Sequence, residues 1–107
     1  MPVPATDRMQ KLQAMLERDP NDSFLLYAIA LEHKKGGDYP EALQWFARVI
    51  AKDPGYAVAY HQAALTHEAA GDVDAAKKMY RAGIGAAEKK GDQHAAEEMR
   101  AALSMIE

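Results

Sequence analysis

The chain has 107 residues, of which 27% are charged and 49% belong to the hydrophobic set, and its net charge is −3. That length suits one small domain, and with no cysteine a disulfide framework or a thiolate metal site is excluded. The two signs of charge are interspersed, without the basic excess with which nucleic-acid binders displace phosphate counterions, and no run approaches the ~18 apolar residues of a membrane span.

Residues 1–5 form a proline-containing lead-in that lacks the basic and apolar regions of a secretion signal, so a cytoplasmic location is expected. Thr6 or Asp7 caps a predicted helix to about Arg18, with Met9, Leu12, Met15 and Leu16 on one face. Asp19-Pro20-Asn21-Asp22 stops it, because proline cannot continue a helix and the short polar side chains compete for backbone hydrogen bonds. Asp22 or Ser23 caps the next helix, through about Lys35. One of its stripes is Leu26, Ile29, Ala30 and His33; a second is Phe24, Tyr27 and Leu31.

Gly36-Gly37-Asp38 turns the chain into a helix with Pro40 and Glu41 in its first turn, burying Ala42, Leu43, Phe46, Val49 and Ile50. Asp53-Pro54-Gly55 ends it. A helix from about Tyr56 to Ala70 follows, with Tyr60, Ala63, Ala64 and His67 inward. Gly71-Asp72 turns again into a helix from about Val73 that carries Ala76, Met79, Tyr80 and Ile84 and closes at Gly91. Asp92 caps a last helix to about Ile106, with Ala96, Met99, Leu103 and Ile106 on one face. Six helices joined by short turns imply antiparallel neighbours in an all-α fold.

The punctuation repeats. Asp19-Pro20 recurs 34 residues later as Asp53-Pro54, His33 as His67, Gly37-Asp38 as Gly71-Asp72, Ala42 as Ala76 and Phe46 as Tyr80. A fixed period of this length marks stacked copies of one unit. The series Leu26, Ile29, Ala30, His33, Gly37-Asp38-Tyr39, Ala42, Phe46, Val49, Asp53-Pro54 and its second copy, Tyr60, Ala63, Ala64, His67, Gly71-Asp72-Val73, Ala76, Tyr80, Gly83, resemble the tetratricopeptide repeat. The resemblance implies a short right-handed solenoid in one domain: a half-repeat helix at 6–18, repeats at 23–56 and 57–90, and a capping helix at 92–106. Ala30, Ala42, Ala64 and Ala76 are small where helices approach closely, and Phe46 and Tyr80 fill the gaps between pairs. No Asp-Pro follows Asp53-Pro54 at the same interval; Ala87-Glu88 stands there, so the array ends. Gly83 falls at a small site of the family, whereas Gly85 has no such reason to lie inside a helix.

In that family the first helix of each repeat lines a concave face. The resemblance therefore implies outward stripes of Phe24, Tyr27, Leu31, Lys34 and Lys35 on one helix and Val58, His61, Gln62, Leu65 and Glu68 on the next, with a peptide-binding surface at Phe24, Tyr27, Leu31, Lys34, Val58, His61, Gln62 and Leu65. Phe24, Tyr27, Leu31, Val58 and Leu65 would make a contiguous apolar patch of the kind that marks an interaction site. The alternative is that the patch is covered, in part by the N-terminal or the last helix or by a second copy of the chain in a homodimer. A subset of the family clamps the C-terminal carboxylate of heat-shock chaperones with Lys, Asn, Asn, Lys and Arg. Here Tyr27, Leu31 and Gln62 stand at the first three sites, and the last two fall at Asp92 and Ala96, or at His94 and Glu98 if the last helix is shifted by two. Binding of that carboxylate-clamp type is not expected.

Chemistry is sparse. His33, His61, His67 and His94 show no pair at the three- or four-residue spacing of helical metal ligands, and His33 and His67 occupy structural sites. Ser23 reads as a cap, and no serine sits in a nucleophile elbow. Gly36-Gly37 and the Gly83, Gly85 pair follow no strand, so no phosphate loop is implied. Trp45 is expected to pack on the adjacent helix rather than to form a stacking platform. The expected function is a non-enzymatic protein–protein interaction scaffold that takes no metal or cofactor and binds a protein or peptide, not nucleic acid or membrane.

Overall fold

Side-chain caps start five of the six helices. Thr6 Oγ1 accepts from the Met9 amide at 2.9 Å, and Asp22 Oδ1 accepts from Phe24 and Leu25 at 2.9 and 3.2 Å. Asp38, Asp72 and Asp92 each accept from the amide three residues on. Every such bond satisfies an amide that the helix leaves without a partner, an effect of about 1 kcal/mol. In the computed structural model, which describes residues 6–107, these caps open α1 (Asp7–Arg18), α2 (Ser23–Lys35), α3 (Tyr39–Lys52), α5 (Val73–Lys90) and α6 (Gln93–Ser104). Only α4 (Ala57–Ala69), which follows Asp53-Pro54, starts without a side-chain cap. The lead-in expected over 1–5 lies outside the described residues, and among the described residues there is no strand.

The chain reverses at three glycines held in the left-handed region, Gly37, Gly71 and Gly91, with φ of 81°, 84° and 81°. Each is followed by an aspartate whose amide closes back on the helix just ended: Asp38 on His33 O, Asp72 on His67 O and Asp92 on Ala87 O. The residue that terminates one helix and the residue that caps the next are therefore adjacent, which makes the connection short. Gly91-Asp92 repeats this device at the connection where the first repeat uses Asp53-Pro54.

Packing is serial. α1 packs on α2, α2 on α3, α3 on α4, α4 on α5 and α5 on α6, and α4 also meets α6. Three apolar clusters follow in the same order. The first joins Met9 and Leu12 of α1 to Leu25, Ala28 and Ile29 of α2. The second gathers Leu26, Ala30, Ala42, Phe46, Val49, Ala59 and Ala63. The third gathers residues of α4, α5 and α6 around Tyr80 and Met99. Ala30, Ala42, Ala64 and Ala76 are completely enclosed, as are Phe46 and Tyr80.

Two expectations need correction. Met15 belongs to the face read as inward but is 52% exposed, whereas Met9 and Leu12 of the same face are buried against α2. The last helix stops at Ser104, and Ile106 packs from beyond its end. The two helical glycines also part company. A Cβ on Gly83 would lie 2.5 Å from Met99 Sδ and 2.6 Å from Tyr60 Cβ, so α5 approaches α4 and α6 only because that atom is missing. A Cβ on Gly85 would meet nothing within 4 Å, and no packing reason for this glycine exists.

These environments predict opposite effects of one substitution. Gly83→Ala should lower the unfolding free energy by about 1–3 kcal/mol through overpacking, whereas Gly85→Ala should raise it by about 0.5–1 kcal/mol through helix propensity. Urea titrations measure both, and equal effects at the two positions would contradict the packing described.

Candidate functional site

The repeat places α2, α4 and α6 side by side. Lys34 Nζ donates to Gln62 Oε1 at 2.7 Å, tying α2 to α4, and α4 meets α6 directly. All eight side chains expected at a binding surface sit on α2 or α4, but they differ in how open they are. Phe24 and Val58 are exposed, at 60% and 44%. Tyr27 is half-buried, with its ring 6.0 Å from Phe46 and 5.4 Å from Tyr56 between centroids. Leu31 is half-buried against the central cluster. Leu65, His61, Gln62 and Lys34 are likewise half-buried. Burial makes the Lys34 ammonium easier to deprotonate than an ordinary lysine. The apolar stripe is thus two open side chains set among others that already belong to the core.

The third row takes the two-residue shift that the sequence left open. α4 starts 34 residues after α2 (57 − 23), but α6 starts 36 after α4 (93 − 57). The difference follows from α5, which runs for 18 residues against 14 in α3 because Ala87-Glu88 does not break it. The shift brings His94 and Glu98, but not Ala96, beside Val58 and His61. Together with Ala57, Asp92, Ala95 and Met99 they line a pocket of about 180 Å³ between α4 and α6. His94 Nε2 meets Glu98 Oε1 one turn along α6. His61 presents its ring to Tyr80, edge-on at 5.7 Å.

The remaining candidate chemistry is taken up by packing. His33 stacks on Trp45 at 6.2 Å, and Arg48 lies 4.3 Å over the same indole, whose Nε1 donates to Glu41 at 3.2 Å. Among the described residues no group of three or more His, Asp or Glu side chains converges as a metal site would require. A second pocket, of about 240 Å³, lies where the loop after α1 meets the end of α3 and includes Pro20, Arg48 and Lys52. No helix of the described residues is long and apolar enough to cross a membrane.

Tyr80 supports the site from beneath. Its ring is fully enclosed and its hydroxyl donates to Glu68 Oε2 at 2.5 Å. Burial first, and then the hydrogen bond to the Glu68 carboxylate, raises its pKa above the ordinary value of 10.0. Tyr60, whose hydroxyl donates to Pro54 O at 2.7 Å, is shifted the same way by burial and by Asp53. The fold therefore favours the neutral phenol. Its contribution to stability is complete below about pH 10 and is lost as pH rises through the folded-state pKa. Urea midpoints should be level up to that point and fall above it. In Tyr80→Phe the alkaline fall should be shallower, from a starting stability lower by about 1 kcal/mol. An alkaline fall of the same steepness in both proteins would contradict this role.

Known proteins share this arrangement. The family profile described as tetratricopeptide repeat matches residues 35–103. The solution structure of a tetratricopeptide repeat domain protein from Salinibacter ruber is similar at 32% identity, with a TM-score of 0.77 over 82% of this chain and 89% of its own. A crystal structure of a tetratricopeptide repeat domain protein from Salinibacter ruber is similar at 30% identity, with a TM-score of 0.71 over 79% of this chain and 94% of its own. PcrH, crystallised in complex with the chaperone binding region of PopD, shares the fold with a TM-score of 0.83 over 94% of this chain and 77% of its own, at 24% identity. No curated protein sequence matches the chain.

Proposed function

Because the chain belongs to the tetratricopeptide repeat family, we propose that it is a non-enzymatic interaction module that binds a peptide or helix of a partner protein on the concave face lined by α2, α4 and α6. The observation that carries this reading is the exposure of Phe24 and Val58 at equivalent positions of α2 and α4, 34 residues apart (58 − 24), on a face whose other apolar side chains are held by the core. Exposed apolar side chains on a rigid helical surface lower the cost of docking, because the surface does not have to be ordered when the ligand arrives. Phe24, Tyr27, Leu31, Lys34, Val58, His61, Gln62 and Leu65 would form the contact, within repeats at 23–56 and 57–90. PcrH, crystallised with a binding region of PopD, supports the use of this fold for segments of other proteins. The absence of cysteine suits a cytoplasmic setting.

A homodimer that buries the same stripe is the competing reading. The half-burial of Tyr27 and Leu31 in their own core weakens it, since little apolar surface remains for the ~2,000 Å² or more that obligate dimers enclose. The chaperone-tail carboxylate clamp is disfavoured further because neither register of the last helix, Asp92 with Ala96 or His94 with Glu98, supplies a lysine or arginine.

Immobilised protein should retain one or more partners from a lysate of its own cells, and Phe24→Ala with Val58→Glu should abolish that retention while leaving the helical circular dichroism unchanged. Retention unaltered by both substitutions would contradict the use of this face. Light scattering at high concentration should give the monomer mass, and a stable dimer would favour the competing reading.

A further inference from the structure

The pocket between α4 and α6 has a chemistry of its own. Its apolar lining is Ala57, Val58, Ala95 and Met99, and its volume of about 180 Å³ suits one aliphatic or aromatic side chain. Its α6 wall carries two carboxylates, Asp92 and Glu98, and no lysine or arginine lines it. At the α2 end of the same face the charge is reversed: Lys34 and Lys35 occupy the last turn of α2. A ligand that fills the pocket therefore brings its neighbouring residues against negative charge, and a ligand reaching α2 meets positive charge.

Resting on the reading that the concave face binds a segment of a partner protein, we propose that this pocket selects an apolar anchor residue with a lysine or arginine beside it. The anchor enters between Val58 and Met99. The adjoining cation lies over Asp92 and Glu98. Asp92 Oδ1 accepts from the Ala95 amide at 3.1 Å as the cap of α6, which fixes the carboxylate at the pocket mouth without a flexible side chain having to be ordered. Glu98 is held one turn along by His94. Both carboxylates are near solvent, so their effect is a preference for a cation and against an anion, of about three- to tenfold in affinity, while the anchor supplies the bulk of the binding.

The test uses a random twelve-residue peptide library displayed on phage, selected against the full-length protein, with the best peptide then synthesised carrying a dye. The expected consensus has an apolar residue with lysine or arginine within two positions. Asp92→Asn, which keeps the capping oxygen, and Glu98→Gln should together weaken that peptide about three- to tenfold, and should leave unchanged a version whose cation is replaced by glutamine. Amide shifts of the labelled protein should centre on Val58, Ala95 and Met99. If selected peptides shift those amides but carry acidic neighbours, or bind both variants equally, the cation preference is overturned and the concave-face reading stands. If no peptide is selected, or the shifts centre on α3 and α5, both are overturned.

Discussion

Helices can stack at short range only where their contacts carry almost no side chain, and the fold depends on that constraint. Ala30, Ala42, Ala64 and Ala76 are entirely enclosed, and Gly83 lacks even the Cβ that would collide with Tyr60 and Met99. Close approach at these points leaves gaps between successive hairpins, which Phe46 and Tyr80 fill. Small and large residues thus alternate along the interior, and each hairpin is fitted to the next in series. Enlarging a small site would separate two helices, and the disturbance would be felt mainly at the adjoining contacts.

The same constraint decides which surfaces are left. α2 is packed by α1 and α3, and α4 by α3, α5 and α6, so each keeps a narrow open face. On that face a side chain is either drawn into the core, like Tyr27 and Leu31, or stays open, like Phe24 and Val58. Lys34 and Gln62 cross-link the two helices there, which stiffens the surface a ligand would meet. At the end of the array α6 turns polar side chains such as Glu97 and Arg100 outward. Arg100 pairs with Glu88 of α5, so α6 is anchored to its neighbour and closes the stack with a hydrated surface.

Much of the architecture was legible because its signals are local. Proline after aspartate, glycine before aspartate and alanine at 34-residue intervals each act within a few residues of where they stand, and they placed six helices. The features that escaped depend on distance. Burial of Leu25 and Ala28 follows from α1 lying across α2, and Thr66, whose hydroxyl donates to Gln62 O, is enclosed on a helix packed by three others. Met15 has the spacing of a core residue, but it stays exposed while Met9 and Leu12 of the same helix pack on α2. The pocket beside Val58 is the clearest case. Loss of an Asp-Pro at 87–88, the helix that runs on to Gly91 and the two-residue shift of the last helix are visible in the sequence, but the pocket that His61 and Glu98 then share appears only once the helices are stacked.

The central claim is that close packing assigns α3 and α5 to the scaffold and leaves binding to the face of α2, α4 and α6. Amide hydrogen exchange of the whole chain, measured with and without its bound partner segment, tests this most directly. Added protection should fall on α2, α4 and the first turns of α6, with α3 and α5 slowed only as far as the whole fold is stabilised. Protection concentrated on the outer faces of α3 and α5, with α2 and α4 unchanged, would contradict it.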